Sequence, residues 1–544
     1  MSERHFSVNL EDELLEVREG TKIASIFGQA AIRGKGIVAA TMNYGMVSLH
    51  TRVQGDCSLR PVFAEQPLGR TVRRRTVTHM LQTLVANRSD HLKLTVGQSL
   101  AGGYFFEVDN FTGDLNSLAS QLTGGLLHLA EAALEFNYSI VSIDEARRLL
   151  TDPGGTKDAL LDIWPTPMLT LVGLGTFIDI PHGPYAPDTS HGKGVVVSAY
   201  ENGVLLDFCD KGSSMPPLER SERLWQCYQR TNAWNQHLGI ATVGLLNRAI
   251  LQEREGEIIR ITEALHEKSI ANIADEVSQR DVRFVCIAGP SSSGKTTFMR
   301  RLSDQLRVNG IRTHLLSLDD YYLDRSKCER DENGRYDFES PKSLNLQLLH
   351  RHFEMLLAGR EIKMPRFDFE NGISIEDHKT LALAPHDLVI VEGIHGNNPE
   401  IMAALPESSR YRIFVNALNQ LRIDDHNRIL TSDTRLLRRL VRDRLYRATP
   451  AVKTIEQWSS VLEGEKKYIY PFQDHTDVMF NSALVYEPSV LNTYASRFLL
   501  EVPRNTPARV HAYRILRFLD LFVPILPHDI PTNSILREFI GNRY

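Results

Sequence analysis

The stretch Gly289-Pro-Ser-Ser-Ser-Gly-Lys-Thr296 decides how this chain is read. It fits G-x-x-x-x-G-K-[ST], in which glycines let the backbone curl until its N–H groups converge on phosphate oxygens. The lysine reaches the outer phosphates, and the hydroxyl after it binds a divalent cation. The context agrees: an apolar, β-rich run at 282–288 enters the loop, and a helical run at 296–308, stopped by Gly310, leaves it. A helix starting there aims its positive end at the same anion. The expectation is a triphosphate site built from Gly289, Ser291, Ser292, Ser293, Gly294, Lys295, Thr296 and Thr297, with Mg2+ on Thr296.

Outward from the loop, apolar strands are predicted at 314–318, 388–391 and 411–415, with helices at 344–357 and 434–447 among them. Strands alternating with helices imply an α/β fold, a parallel sheet covered on both faces. This domain is expected over 281–490, after a continuously helical connector at 236–280 and before a helical C-terminal extension at 491–544.

Binding a triphosphate is not yet transferring a phosphoryl group. Transfer needs an acceptor in line, a group to take its proton, and positive charge on the moving phosphoryl. Asp319 and Asp320 follow the second strand, on the sheet edge that carries the loop. Either could take a proton or hold magnesium; an ordinary Asp-Asp turn is the plainer reading. Glu392 ends the strand Leu388-Val-Ile-Val-Glu392, a Walker-B-like acid near the magnesium. Steps of three and four place Arg435, Arg439 and Arg442 on one helical face, with Leu436 and Leu440 on another. Guanidinium forks match phosphate oxygens, whereas Asp433 and Asp443 suit a merely solvated face.

Together these residues resemble the uridine kinase and phosphoribulokinase branch of P-loop kinases, over about 281–485. The family loop G-x-S-x-S-G-K-T is close to 289–296. Asp319-Asp-Tyr-Tyr322 is similar to its Asp-Ser-Phe-Tyr segment, which implies Asp319 as the base, with Tyr322 beside the substrate. Tyr336-Asp-Phe-Glu-Ser-Pro341 resembles the stretch over the nucleoside sugar and implies Glu339 as a contact. Arg438-Arg-Leu-Val-Arg-Asp443 is similar to the family's lid helix. The resemblance thus implies Lys295, Asp319 and Arg442 as catalytic, Arg439 on the nucleotide, Arg435 on the substrate, and Mg2+ between Thr296 and Glu392. In the family's base-reading segment, this chain has Phe367-Asp-Phe-Glu-Asn-Gly372: Phe367 replaces a tyrosine and no histidine follows. Phe367 and Asp368 remain the expected substrate contacts there, with altered base recognition.

The N-terminal half resembles a different family. Residues 1–65 are similar to the TGS module of threonyl-tRNA synthetase, a small β-grasp-like unit, and 66–235 to its α+β editing domain. Gly103-Tyr-Phe-Phe-Glu-Val-Asp109 and Asp179-Ile-Pro-His-Gly-Pro-Tyr185 resemble two of its segments. Of four zinc-type positions only His79 survives; Thr83, Pro181 and Tyr185 stand at the others. A catalytic zinc wants about three protein ligands, so no metal is expected there and His79 reads as structural, while the loop histidines His182 and His191 have no known ligand spacing and read as solvated.

Composition is that of an ordinary globular chain: 544 residues, 42% hydrophobic, 24% charged, net charge −5. The acidic balance offers no general attraction to nucleic acid. Five scattered cysteines without a CxxC pair fit a reducing compartment. A charged N-terminus and the lack of a long apolar run predict a cytoplasmic protein without membrane contact.

The expectation is therefore an ATP- and Mg2+-dependent kinase for a nucleoside-like small-molecule hydroxyl, with oligomerisation allowed. Two alternatives stand: a kinase for a non-nucleoside acceptor, and a nucleotide-gated regulator whose N-terminal half contacts RNA. An aminoacyl-ester hydrolase in 66–235 is disfavoured by the missing ligands.

Overall fold

Every residue of the strand Phe284–Ala288 is buried, as expected of a strand covered on both faces of a parallel sheet. The computed structural model describes residues 4–11, 13–100, 102–150, 155–209, 221–330, 334, 336–368, 371–419 and 421–541. In it, Phe284–Ala288 is the centre of a five-stranded sheet in the order Thr313–Ser317, Leu388–Glu392, Phe284–Ala288, Arg410–Asn416, Val478–Asn481. All four pairings are parallel. The loop 289–294 therefore leaves the middle of the sheet at its carboxyl edge, where ligands bind in open α/β folds.

Helices cover both faces. On one side, the apolar faces of Val243–Leu251, Glu255–Ser278, Lys295–Val308 and Thr431–Tyr446 share a core with the C-terminal helices Glu487–Leu500 and Ala508–Leu519. On the other, Leu346–Leu357 and the hairpin Ile362–Asp368/Ile373–Leu381 close over Phe284, Cys286, Val389 and Val391.

Residues 5–63 carry a separate mixed sheet. Two antiparallel hairpins flank Cys57–Phe63, which runs parallel to His5–Leu10. Beyond it lie a four-stranded antiparallel sheet and a three-stranded one, with the long helices Pro67–Ala86 and Leu115–Ala132. This half is not tethered loosely: Phe105, Trp225 and Tyr228 pack with Ala288 and Phe414 of the parallel sheet.

The predicted strands and helices around the loop are all present, but three readings change. The connector is two helices, Val243–Leu251 and Glu255–Ser278, because Glu253 sits at φ 60 and breaks the run. Helix Glu487–Leu500 crosses the expected boundary at 490/491. Past Leu519 the chain is mostly irregular and ends in one short helix, Arg537–Ile540.

Candidate active site

The loop's shape follows from its glycines. Gly289 has φ 154, and a Cβ there would lie 2.0 Å from the Val415 carbonyl oxygen. Gly294 has φ 85 and starts the helix Lys295–Val308. Both positions require a residue without a side chain. Ser292, at φ 59, holds a conformation uncommon outside glycine. The buried hydroxyls of Ser292 and Ser293 have no hydrogen-bond partner among the described residues. Buried polar atoms normally find a partner, so this cradle has polar groups to spare, and phosphate oxygens are acceptors that would suit them.

The predicted cationic and metal groups converge here. Lys295 is 8% exposed, and its Nζ donates to the Pro290 carbonyl at 3.1 Å. Thr296 Oγ1 donates to Glu392 Oε2 at 3.4 Å. That hydroxyl and carboxylate form a two-oxygen donor pair of the kind Mg2+ uses when phosphates and water complete its shell. Burial pushes the Glu392 carboxyl up to about 7; Lys295 opposes this and the carboxylates of Asp319 and Glu538 reinforce it.

Asp319 occupies the short helix Leu318–Tyr321 directly after its strand. Its side chain is exposed to the cleft. Crowding by the surrounding protein raises its carboxyl above the ordinary range, against the pull of Lys295, Arg447 and Arg442. Asp320 instead accepts from the Phe367 amide at 3.5 Å and positions the hairpin.

The residues expected on the acceptor side are more self-satisfied. The buried Tyr322 donates its hydroxyl to the Phe338 carbonyl at 3.0 Å, and its ring meets Phe367 at 5.6 Å. Phe367 is buried as well. Asp368 accepts from the amide and side chain of Asn371, closing a turn. Glu339 is half-buried, and desolvation followed by the Glu465 carboxylate raises it to about 7.

The arginine helix Thr431–Tyr446 lies against the loop, with its arginines divided by depth. Arg439 Nη1 donates to Ser291 Oγ at 3.2 Å. Arg442 stands nearby, its pKa lowered to about 10 by burial and by Arg447. The resemblance implies Arg435 against the substrate. It is instead 1% exposed, forked onto Glu465, and donates to the Ser291 carbonyl. Arg438 is also buried; it pairs with Glu487 and reaches the Ser292 carbonyl. These two brace the loop from beneath. Leu436 and Leu440 enter the core.

Three acids absent from the sequence reading complete the surroundings. Glu465 accepts the Ser291 amide at 2.9 Å, Glu487 holds Arg438, and Glu538 reaches the P-loop helix from the far C-terminus. None belongs to a motif, and only the paired arginines hint that such acids exist.

In the N-terminal half, His79 is buried among the rings of Phe136, Phe177 and Tyr185. Neither ring nitrogen has a partner among the described residues. His182 faces Asp424, and His426 and Lys157 both meet Asp179, so this region is tied to the parallel-sheet domain. No group of three His, Cys, Asp or Glu suited to a metal occurs among the described residues. No helix there is long and apolar enough to cross a membrane.

Comparison with known proteins agrees with this division. Residues 284–486 match the model of the "Phosphoribulokinase / Uridine kinase family". A uridine kinase of Halobacterium salinarum is 29% identical over 195 residues, 36% of this chain and 77% of that protein. A threonine–tRNA ligase of Oleidesulfovibrio alaskensis is 29% identical over 190 residues in the N-terminal part, 34% of this chain but only 29% of that enzyme. Among solved structures, a possible uridine kinase from Bacillus stearothermophilus matches at TM-score 0.28 and 18% identity, over 39% of this chain and 97% of that one.

Proposed function

We propose, because residues 284–486 match the model of the phosphoribulokinase/uridine kinase family, that the protein transfers the terminal phosphoryl of ATP to a hydroxyl of a nucleoside-like small molecule. The observation that carries this reading is the loop cradle: two buried serine hydroxyls without partners among the described residues, beside Lys295 and the Thr296–Glu392 pair.

Loop amides and Lys295 hold the phosphates. Thr296 and Glu392 hold Mg2+, which supplies charge neutralisation on the phosphates. Asp319, exposed at the cleft and raised in pKa, takes the acceptor proton. Arg439 and Arg442 face the transferred group, while Arg435 acts indirectly by holding the loop. The Tyr322–Phe367 wall, Asp368 and Glu339 border the acceptor. With Phe367 in place of a tyrosine, stacking rather than hydrogen bonding from that position governs recognition.

Phosphate transfer from γ-labelled ATP tests this against a panel of nucleosides, ribulose phosphate, pantothenate and glycerate. At least one nucleoside should be labelled far above a Lys295→Ala control. Labelling of a non-nucleoside alone would move the assignment to that acceptor, and labelling of none would end the kinase reading.

The similarity to a threonine–tRNA ligase favours a second reading for the N-terminal half, contact with tRNA-like RNA. Phosphate contacts release counterions, so such binding must weaken steeply with salt. A salt-independent or undetectable affinity for tRNA would remove it.

A further inference from the structure

The end of the chain returns to the P-loop. Within the last described residues, Ile535, Leu536 and Phe539 are fully buried. Ile535 covers Gly294 so closely that a Cβ there would lie 2.5 Å from its Cγ2. Arg438 and Arg442 lie over the Phe539 ring at 5.1 and 6.0 Å. This packing fixes where Glu538 points. Its Oε2 accepts from the Thr297 amide at 3.2 Å and from the Thr297 hydroxyl at 2.9 Å. Its Oε1 is 3.9 Å from Arg442 Nη1.

Thr297 belongs to the first turn of the helix that follows the loop, where backbone N–H groups have no partner within the helix. In a phosphate cradle these amides face the anion. Glu538 thus takes the amide and hydroxyl contacts that a phosphate oxygen would take at this turn. One amide and one hydroxyl cannot serve both, and two anions in one buried site repel.

We propose that Glu538 is an intramolecular competitor for the triphosphate site. A triphosphate binds by driving this carboxylate off Thr297, and the tail 534–541 loosens as it does so. The same displacement releases Arg442 from Glu538 toward the incoming phosphates. The apparent affinity for ATP is then the intrinsic affinity reduced by the fraction of molecules with the tail disengaged. This inference rests on the triphosphate reading of the loop given above.

The test uses the full chain and a fluorescent ATP analogue with Mg2+, comparing the wild type with Glu538→Gln, Glu538→Ala and Lys295→Ala. Removing a charge-assisted contact to an amide and a hydroxyl should tighten ATP roughly tenfold or more in the Glu538 variants. In the wild type, saturating Mg·ATP should speed amide hydrogen exchange across 534–541, a readout that needs no variant to fold. ATP binding that depends on Lys295 but is no tighter without Glu538, or a tail equally or better protected with ATP, would overturn the competitor. If neither the wild type nor any Glu538 variant binds ATP in a Lys295-dependent way, the triphosphate reading itself fails, and the competitor with it.

Discussion

Arg435 and Glu465 meet as a two-pronged pair beneath the P-loop, Nη1 on Oε1 at 2.5 Å and Nη2 on Oε2 at 2.7 Å, both side chains almost completely buried. Each partner also grips the loop: Glu465 accepts the Ser291 amide, and Arg435 donates to the Ser291 carbonyl. Charge balance in the core and loop geometry are therefore one arrangement. Removing one member strands a buried charge, which costs about 3–5 kcal/mol. Glu465→Ala should lose about that much in urea unfolding and weaken ATP binding as well. Arg435→Met combined with Glu465→Leu should recover much of the stability but not the ATP affinity, because the loop contacts stay lost. A double variant as unstable as the single one would refute the stranded-charge account.

Asp319 gives the opposite expectation, because it is exposed and carries no structural ion pair among the described residues. Asp319→Asn keeps the shape and removes the proposed base. Turnover should fall by roughly 10²–10⁴, the usual contribution of a positioned general base. Stability should change by less than about 0.5 kcal/mol, as for most surface substitutions. Phosphotransfer rates read beside thermal melting decide it; a variant retaining more than a tenth of the wild-type turnover would exclude Asp319 as the base.

The contrast between these residues shows what the sequence can carry. The loop, its strand and its helix are local, so 282–308 reads correctly from spacing alone. The arginine helix is legible as a helix, but not which arginines are buried. Arg435 and Arg438 go inside because Glu465 and Glu487 wait there, 30 and 49 residues further on. A pairing of that range leaves no periodic trace. Glu538 is further still, 241 residues from Thr297. The fifth strand, Val478–Asn481, is four residues long and takes its identity from pairing with Arg410–Asn416. Glu253 breaks the connector helix through a backbone conformation, φ 60, that its residue type does not announce.

Glu392, the proposed magnesium ligand, should make the site sensitive to pH near neutrality. Its carboxyl is raised to about 7, chiefly by burial. Below that pH it is protonated and a poor magnesium ligand; above it the carboxylate is available. The Mg2+-dependent part of ATP affinity should therefore rise about tenfold per unit as pH increases toward 7 and level off beyond it. Titrating ATP with and without Mg2+ from pH 5.5 to 8.5 measures this. Glu392→Gln should flatten the profile at low affinity. A wild-type profile flat across that range would show that Glu392 does not titrate on metal binding.

His79 sets a pH limit on the N-terminal half. Burial among three aromatic rings lowers its pKa from 6.5 to about 4. Folded, the ring stays neutral down to about pH 4; unfolded, it takes a proton near pH 6.5. Its contribution to stability is thus fully present above 6.5 and is lost as pH falls from there toward 4. The loss grows by about 1.4 kcal/mol per unit and reaches about 2 kcal/mol at pH 5. His266, His395 and His511, lowered to about 3, about 4 and about 4 mainly by burial, add slopes of the same sign. Subtraction isolates His79, because His79→Leu removes one titrating ring and leaves the others in place. Relative to the wild type, that variant should gain about 2 kcal/mol in urea unfolding between pH 7 and pH 5. An offset that is the same at both pH values would show that the ring changes protonation equally in the folded and unfolded chain, and hence that the aromatic enclosure does not hold it neutral.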